Sequence, residues 1–296
     1  VDWADEEGAR FGMSLFGSSA FSGNLDMDRC RTLIDRDGIT LEQALREHGI
    51  ELEQAPRAGR QRETAAAYLE LHIEQGPVLE ELGLPLGVVL GTYGVERHEI
   101  SFHGQAAHSG STPMHRRKDA FLAAGNMAQV VYDITDRHGG VSTIGSCRTK
   151  PGIVTSVVED CTITLDQRHL DAASLAALLS DARAASEKHA EAAGVTVEWS
   201  RLWQIEPILF DDELIAMCDE SIREVAGTSH RLPSGPLHDA AEVARAGIPT
   251  VMMFVQSLYG ISHNSIEDTR EEHLEQAVLA FDRLASRALD WLATRV

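Results

Sequence analysis

The pattern of helical and strand segments changes twice along this chain, and that change constrains the fold. Towards the C-terminus, amphipathic helical segments at 211–226 and 271–295 flank an apolar strand, which is typical of an α/β layer. The middle of the chain instead combines two helical segments with several short strands, which is an α+β pattern. We therefore predict an α/β domain formed by residues 1–95 and 209–296, with a smaller α+β domain inserted at 96–208.

Individual elements follow from periodicity and from helix-start signals. Thr40 to Gln43 forms a capping box, which predicts a short helix ending near His48. Residues 68–74 alternate between apolar and polar, which predicts a strand with His72 on its polar face. Pro77 suits the first position of a short helix that follows. The other predicted helices and strands lie at 86–105 (strand, turn, strand), 117–137 (helix), 141–147, 153–158 and 161–165 (strands), 172–193 (helix), 195–199 and 248–255 (strands).

The composition excludes several classes of partner. With 26 basic and 46 acidic residues, the chain carries a net charge of −20. Nucleic acid and anionic membranes require a basic face, so we predict neither as a partner. The four cysteines form no CxxC pair, which argues against a thiolate zinc site or a dithiol redox motif and favours a reduced, cytoplasmic protein.

The start of the chain is unusual. Residues 1–4, Val-Asp-Trp-Ala, have the pattern of a strand cut through its middle, and the first residue is not Met. A folded domain is not expected to begin inside a central strand. We therefore expect this chain to be a fragment or a processed piece of a longer protein.

Adjacent carboxylates near the start are candidates for metal chemistry. In a turn after a strand, Glu7 can bind a metal while Glu6 accepts a proton from the attacking water. Taken alone, Asp5 to Glu7 fits a solvated acidic turn better than a metal site.

Two histidines lie where α/β domains place their sites. His72 is near the end of one predicted strand, and His263 is in a loop after the apolar strand. A neutral imidazole is a good zinc ligand. The alternative for each is an ordinary surface or hydrogen-bonded histidine. Gln75 follows His72 directly and precedes a Gly-Pro turn, which suits presentation of a side chain into a cleft.

The inserted domain contributes two more candidates. His108 lies in a loop of small residues, which allows close approach of a ligand or a second subunit. Arg168 follows a strand, where its guanidinium could bind a substrate carboxylate in a bidentate manner. The alternatives are a plain flexible loop and an ion pair of Arg168 with Asp166.

His238 and Asp239 follow a segment rich in Pro, Ser and Gly. They could form a pair in which the carboxylate orients the imidazole. Alternatively, Asp239 simply caps the helix that follows.

The order of these motifs resembles the amidase/hydantoinase/carbamoylase family of two-zinc hydrolases. The resemblance spans the whole chain and is highly specific, because six ordered segments take part: Asp-Glu-Glu-Gly at 5–8, Leu-His-Ile-Glu-Gln-Gly-Pro at 71–77, Ala-His-Ser-Gly-Ser-Thr-Pro at 107–113, Leu-Asp-Gln-Arg at 165–168, His-Asp-Ala at 238–240 and Gly-Ile-Ser-His at 260–263. That family includes N-carbamoyl-L-amino-acid hydrolase, β-ureidopropionase and allantoate amidohydrolase.

The resemblance implies a zinc-aminopeptidase-like catalytic domain with an inserted lid and dimerisation domain. It implies two divalent metal ions, zinc or manganese, with cobalt or nickel also suited to such ligands. The roles it implies are the following: Glu6 is the general base; Glu7, His72 and His263 are metal ligands; His108 polarises the substrate carbonyl, typically across a homodimer; and Gln75, Arg168 and His238 bind substrate.

The sequence departs from the family pattern in two places. The family has a His and a bridging Asp upstream of the Asp-Glu-Glu segment, and residues 5–7 leave no room for them in this chain. A bridging carboxylate holds two cations about 3.5–4 Å apart, so a chain without it is expected to bind metal poorly. Secondly, many members carry an Asn thirteen residues before the arginine, as a second contact to the substrate carboxylate. This chain has Thr155 there, and the resemblance makes Thr155 a candidate substrate-binding residue.

Three functions remain open at this point. The favoured one is hydrolysis of a linear C–N amide bond, with N-carbamoyl-L-amino acids as first substrates and allantoate as second. An aminoacylase or peptidase on the same scaffold is the next. The third is an inactive fragment that only dimerises or binds ligand.

Overall fold

The computed structural model describes residues 1–295, and these divide into two compact units. Unit 1 comprises Val1–Thr92 together with residues 208–295, and unit 2 comprises Tyr93–Pro207. Each unit has its own buried apolar core.

Nine helices are found in the described residues, and most begin or end with a recognisable cap. They are α1 (Phe16–Ser22), α2 (Met27–Cys30), α3 (Leu41–Glu47), α4 (Val78–Leu82), α5 (Ala120–His138), α6 (Ala172–Ala193), α7 (Asp212–Ala226), α8 (Asp239–Arg245) and α9 (Glu271–Ala293). Shorter 3-10 segments lie at Leu52–Thr64, Met114–Arg116 and Leu258–Gly260.

Eleven strands are found in the same residues. They are β1 (Tyr68–Ile73), β2 (Leu86–Thr92), β3 (Gly94–His103), β4 (Ala107–His108), β5 (Val141–Lys150), β6 (Ser156–Val157), β7 (Asp160–His169), β8 (Thr196–Ile205), β9 (Ile208–Leu209), β10 (His230–Ser234) and β11 (Thr250–Val255).

Unit 1 is built on a mixed sheet in the order β1-β11-β2-β10, with the short β9 also paired to β2. β1 runs parallel to β11 and β10 parallel to β2, whereas β11 and β2 are antiparallel. Every residue of β11 is buried, as expected for a strand covered on both faces. Helices α7 and α9 pack against each other and on this sheet, and α8 contacts β1 and β11.

Unit 2 is a four-stranded antiparallel sheet in the order β5-β7-β3-β8. Along β7 buried residues alternate with half-buried ones, because one face of the sheet packs on helices α5 and α6. Asp119 and Asp171 cap these two helices by accepting hydrogen bonds from backbone N–H groups of their first turns. Ile100, Phe102 and Leu165 are completely buried in the core.

The predicted fold class, an α/β layer with an inserted α+β unit, is confirmed. Two local predictions are wrong. Residues 1–4 lie outside the described strands. The strand predicted at 153–158 is reduced to β6. The strand predicted at 68–74 is observed as β1, and all six of its residues are half-buried. Strand β10, which contains Pro233, was not predicted.

None of the helices described in residues 1–295 is long and apolar enough to cross a bilayer.

Candidate metal centre

The ends of two parallel strands bring the first group of predicted residues together in unit 1. β1 and β11 are in register, with His72 opposite Phe254. The backbone N–H of Gln75 donates to the Ser257 hydroxyl at 3.0 Å, which joins the segment after β1 to the segment after β11. His263 lies in this second segment. The arrangement places both segments at the same edge of the sheet, where α/β proteins build their sites.

The turn after β1 is fixed by a buried carboxylate. Glu74 accepts hydrogen bonds from the N–H groups of Val78 and Leu79, at 2.7 and 3.0 Å, at the start of α4. Gly260 lies against this turn, and a Cβ atom at that position would come within 2.7 Å of Pro77 Cβ. Only glycine permits this close approach, which draws the loop carrying His263 to the turn after His72.

Backbone strain is concentrated at the candidate site. Among residues 1–295, five non-glycine residues have positive φ, and four of them lie in its segments: Asp5, Gln75, Tyr259 and His263, with φ between 51° and 60°. Such conformations cost of order 1–3 kcal/mol each and cluster at functional sites.

The acidic turn is partly enclosed by the chain that follows it. The N–H of Leu15 donates to the Glu6 carbonyl at 2.8 Å, and a Cβ atom on Gly8 would overlap the backbone of Met13. Burial raises the pKa of Glu6, and the carboxylates of Glu7 and Asp239 raise it further. The turn is therefore more than a solvated acidic loop.

Two groups of potential ligands form at this edge. One ligand atom from each of Glu6, His72 and His238 lies within 4.8 Å of the other two. Separately, His263 Nε2 lies 3.3 Å from a carboxylate oxygen of Glu7. The structure thus brings Glu6, Glu7, His72 and His263 together, and it adds His238.

The hydrogen bonds of the two clustered histidines fix which nitrogen carries the proton. His72 Nδ1 lies 2.8 Å from the carbonyl oxygen of Ile73, which can only accept, so Nδ1 donates and Nε2 keeps the lone pair. His238 Nε2 lies 2.9 Å from Ser234 Oγ, whose own proton goes to the Pro236 carbonyl. His238 therefore donates from Nε2 and keeps its lone pair on Nδ1.

His238 is held as a neutral imidazole. Its side chain is buried, and burial, assisted by the nearby His72, lowers its pKa to about 3. The rings of His72 and His238 are 4.3 Å apart between centroids. Neither alternative predicted for His238 and Asp239 is observed: the imidazole is oriented by Ser234, and Asp239 is the first residue of α8, while His238 occupies the N-cap position without a side-chain bond.

A half-buried carboxylate on β1, Glu70, was not predicted from the sequence as a site residue. Glu70 accepts hydrogen bonds from the Tyr68 hydroxyl at 2.9 Å and from the N–H of Ala240 at 2.8 Å. Burial raises the pKa of Glu70 to about 7. Glu70 ties α8 to β1 and so helps to hold His238 beside His72. Its position two residues before His72, on the same side of the strand, was the available signal.

In unit 2, the loop of His108 is organised around the imidazole. The N–H groups of Gly110 and Ser111 donate to His108 Nδ1 at 3.1 and 3.2 Å. Since Nδ1 accepts, the proton of the neutral ring is on Nε2. Arg117 braces the loop by donating to the carbonyls of Ser109 and Thr112 at 2.6 and 3.1 Å.

Arg168 and Thr155 also lie in unit 2. Arg168 Nε donates to Asp166 at 2.7 Å, as in the ion-pair alternative. Burial alone would raise the pKa of Asp166, but hydrogen bonds from Arg168 and Arg97 lower it below its usual value. Thr155 has an exposed side chain, and its carbonyl accepts a hydrogen bond from the N–H of Ser109.

The side chains of unit 1 fit a divalent cation. Metal-ligating histidines usually donate their second N–H to a carbonyl or another protein acceptor, and His72 and His238 both do so. In the part of the chain that the structure describes, His238 Nδ1 has no hydrogen-bond partner although it is buried. A buried acceptor left unpaired costs about 1–3 kcal/mol, and a cation would relieve that cost.

Comparison with known proteins identifies the family of this chain. Residues 1–287 match the model of peptidase family M20/M25/M40. The chain belongs to this family. It is 34% identical to an N-carbamoyl-L-amino acid amidohydrolase of Geobacillus stearothermophilus over 275 residues, 92% of this chain and 66% of that protein. It is also 34% identical to the allantoate amidohydrolase of Escherichia coli K12 over 285 residues, 94% of this chain and 67% of that protein.

Solved structures similar to this chain include amidases of the hydantoinase/carbamoylase family. A hydantoinase/carbamoylase family amidase from Burkholderia multivorans matches with a TM-score of 0.83 and 33% identity, over 97% of this chain and 69% of that one. The chain thus spans about two thirds of the length of these relatives. The predicted family is confirmed, and the chain is of the amidohydrolase type. M20 hydrolases typically use divalent metals, which agrees with the cluster at Glu6, His72 and His238.

Proposed function

We propose that this protein is a metal-dependent amidohydrolase that removes the carbamoyl group from N-carbamoyl-L-amino acids. The observation that carries the proposal is the convergence of two imidazoles and a carboxylate in unit 1, beside a second pair of potential ligands. The named relatives act on ureido compounds of this kind, which supports the substrate class.

The metal ligands divide into two groups. Glu7 and His263, which are 3.3 Å apart, would hold one divalent cation, and His72 would hold the other. Zinc or manganese suits these ligands, as do cobalt and nickel. Such cations, when bound, lower the pKa of water and polarise a carbonyl group.

Glu6 is the proposed general base. Its partly buried carboxylate has a raised pKa, and a higher proton affinity favours removal of a proton from the attacking water. The same carboxyl group would then deliver that proton to the leaving nitrogen. Cleavage of the C–N bond gives the free amino acid and carbamic acid, which breaks down to carbon dioxide and ammonia.

Unit 2 would supply the contacts to the substrate. The Nε2–H of His108 points away from the two N–H groups that fix the ring, so it can donate to the substrate carbonyl oxygen as negative charge develops there. Arg168 and Thr155, together with Gln75 of unit 1, would bind the rest of the substrate, with Arg168 on its carboxylate. We expect unit 2 to act as a lid and to form a homodimer.

Allantoate is the second candidate substrate. It is favoured by the similarity to the allantoate amidohydrolase, which is as close in identity as the carbamoylase. Thr155 offers a single hydroxyl where an asparagine would offer an amide, so the two substrates are separated best by direct assay.

The test is an assay of ammonia and amino-acid release by the protein supplied with zinc or manganese. The substrates are N-carbamoyl-L-amino acids, allantoate, N-acetyl amino acids and dipeptides. We expect the highest kcat/KM with an N-carbamoyl-L-amino acid. Glu6→Gln should lower kcat by about 10²–10⁴-fold, because the amide cannot accept a proton.

Glu7→Gln is compared with Glu6→Gln to separate metal binding from proton transfer. It should lower the number of metal ions bound per chain, whereas Glu6→Gln should leave that number unchanged. Hydrolysis of N-acetyl amino acids or dipeptides alone would replace the proposal with an aminoacylase or peptidase. Bound metal without hydrolysis of any of the four substrate classes would contradict it.

A further inference from the structure

Two thiol groups of unit 2 are in contact. Cys147 Sγ on β5 lies 3.6 Å from Cys161 Sγ on β7. Cys147 pairs directly with Ile163, and Cys161 with Thr149, so the two cysteines are diagonal neighbours in the antiparallel ladder. Cys161 and Ile163 are both buried in the core between the sheet and its helices. The side chain of Cys147 therefore lies on the same face, on the outer strand of the sheet.

The two thiols differ in their access to solvent. Cys147 is exposed, whereas Cys161 is completely buried. Burial, together with the adjacent Cys147, raises the pKa of Cys161 to about 12. Since the thiolate is the reactive form of cysteine, a small oxidant meets a reactive sulfur at Cys147 first. Cys161 keeps its proton and is in position to react second.

The other two cysteines are not in contact with a thiol. Cys30 and Cys218 are buried in unit 1. Cys30 Sγ lies 4.0 Å from Met13 Sδ, a thioether, which cannot form a disulfide. Within residues 1–295, Cys147 and Cys161 thus form the one contact between two thiols.

We propose that Cys147 and Cys161 are a redox-sensitive pair that hydrogen peroxide converts into a reversible disulfide. The Cys147 thiolate attacks one oxygen of the peroxide and the O–O bond breaks, which leaves a sulfenic acid on Cys147 and a hydroxide that takes up a proton to give water. The Cys161 sulfur then attacks the Cys147 sulfur. The S–O bond breaks, and the hydroxyl group leaves with the Cys161 proton as a second water. Two thiols lose two electrons in all, and one peroxide is reduced to two waters.

The strand that carries Cys147 can move enough to close the bond. A disulfide holds its sulfur atoms about 2.05 Å apart, so the 3.6 Å contact must shorten. β5 is bordered by β7 alone in the sheet order, and its pairing is irregular between Ile144 and Ser146. A bond that displaces the strand stores strain, and strained disulfides are readily reduced. A dithiol reductant should therefore reverse the oxidation.

The disulfide would restrain the segment that supports the His108 loop. The two cysteines are 14 positions apart, and β6 lies between them. Ser156 of β6 pairs with His108 of β4, and the Thr155 carbonyl accepts a hydrogen bond from the N–H of Ser109 at 2.9 Å. A covalent link across the base of this segment reduces the number of open conformations that it can adopt. Amide exchange near His108 should consequently be slower in the oxidised protein.

The experiment compares the whole protein before and after treatment with hydrogen peroxide. Free thiols are counted under denaturing conditions, and tryptic peptides are mapped by mass spectrometry without reduction. The chain has four cysteines, so we expect the free thiols to fall from four to two. The intact mass should fall by about 2 Da, because two hydrogen atoms are lost. Trypsin cleaves after Arg148, so Cys147 and Cys161 should appear in one species only when a disulfide joins their peptides.

Three variants separate the roles of the thiols. In Cys161→Ala, peroxide should carry Cys147 on to the sulfinic acid, a gain of about 32 Da, because no second thiol can intercept the sulfenic acid. In Cys147→Ala, the remaining thiols should survive the same treatment. Cys218→Ala is the matched control, since Cys218 is buried like Cys161 but has no thiol beside it, and the disulfide should form as in the unaltered protein.

Deuterium exchange tests the effect on the His108 loop. Peroxide should slow exchange of the amides at 107–111 and 150–157 in the unaltered protein, and leave it unchanged in Cys147→Ala. Dithiothreitol should restore both the four thiols and the faster exchange. Equal exchange in the reduced and disulfide forms would overturn the restraint on this loop.

The pairing itself is overturned if all four thiols survive peroxide, or if Cys147 of the unaltered protein reaches the sulfinic acid as readily as it does in Cys161→Ala. A disulfide between the Cys147 residues of two copies, seen as a doubled mass, would also overturn it. The peptide map of the unaltered protein decides the question even where a variant does not fold. The proposed hydrolysis is judged separately, because the substrate assay is made on the reduced protein.

Discussion

The histidines of the two units are held in opposite ways. In unit 1, His72 donates from Nδ1 to the Ile73 carbonyl and His238 donates from Nε2 to Ser234 Oγ, so each ring keeps a lone pair on its other nitrogen. In unit 2, His108 accepts two backbone N–H groups on Nδ1 and directs a proton outwards. A ring that keeps a lone pair can bind a cation, whereas a ring that keeps an N–H can donate to an oxygen atom, and these are the roles proposed for His72 and His108.

The difference shows that the backbone around an imidazole decides its chemistry. An Ile73 carbonyl makes one ring a Lewis base, and the Gly110 and Ser111 N–H groups make another ring a hydrogen-bond donor. Amide hydrolysis needs both, because water must be activated while the carbonyl oxygen is stabilised. In the proposed function, His72 would serve the first need and His108 the second.

The largest expected effect on this comparison is in unit 2. Arg117→Gln removes the hydrogen bonds to the carbonyls of Ser109 and Thr112 that brace the His108 loop. Because a displacement of about 1 Å at a reacting group can cost about 100-fold, we expect kcat to fall by about that factor with little change in KM. Steady-state kinetics with an N-carbamoyl-L-amino acid would measure both.

Arg116 is the control for this prediction. It is the neighbouring arginine and is exposed, so Arg116→Gln should leave kcat unchanged. Arg117→Lys should recover only part of the activity, because an ammonium group does not match the planar fork of a guanidinium. An equal fall in kcat in Arg116→Gln and Arg117→Gln would mean that the positive charge matters, and not the position of the His108 loop.

A smaller effect concerns the stability of unit 2 at acidic pH. Burial lowers the pKa of His98 in spite of the adjacent Glu96, and Arg183 and Arg201 lower it further. The unfolded chain therefore takes up a proton near pH 6.5 that the folded chain does not. The free energy of unfolding should consequently decrease as the pH falls below about 6.5, by at most about 1.4 kcal/mol per pH unit from this residue.

Denaturant unfolding followed by hydrogen exchange in unit 2 would detect this decrease. His98→Gln should make the pH dependence of unit 2 shallower. His115→Gln, at an exposed position of the same unit, should not alter it. An unchanged slope in His98→Gln would show that other groups account for the acid sensitivity.

Much of the fold could be predicted from periodicity. Helix α6 was predicted at its observed bounds because the segment is rich in alanine, and in the structure Asp171 caps it. The strand predicted at 153–158 was wrong because apolar character alone does not supply a pairing partner, and Ile153 and Val154 are exposed. Strand β10 was not predicted because Pro233 and the polar residues beside it interrupt the apolar pattern that is typical of a strand.

The candidate site could be predicted only in part. The sequence identified Glu6, Glu7, His72 and His263 through their motifs, and the structure brings them together. It could not reveal the part played by Ser234 or Glu70, since these act through hydrogen bonds formed only after folding. Nor could the sequence show which ring nitrogen of each histidine carries the proton, because this too depends on hydrogen bonds formed after folding.

The most direct test of the account is the protonation pattern of the imidazoles in the metal-free protein. A long-range ¹H–¹⁵N correlation spectrum of histidine-labelled protein, with assignments from His72→Gln, His108→Gln and His238→Gln, distinguishes the two nitrogens of each ring. We predict that the proton is on Nδ1 of His72, on Nε2 of His238 and on Nε2 of His108. A proton on Nε2 of His72 would contradict the proposed metal centre, and a proton on Nδ1 of His108 would contradict its role as a donor. A proton on Nδ1 of His238 would contradict the hydrogen bond from Nε2 to Ser234.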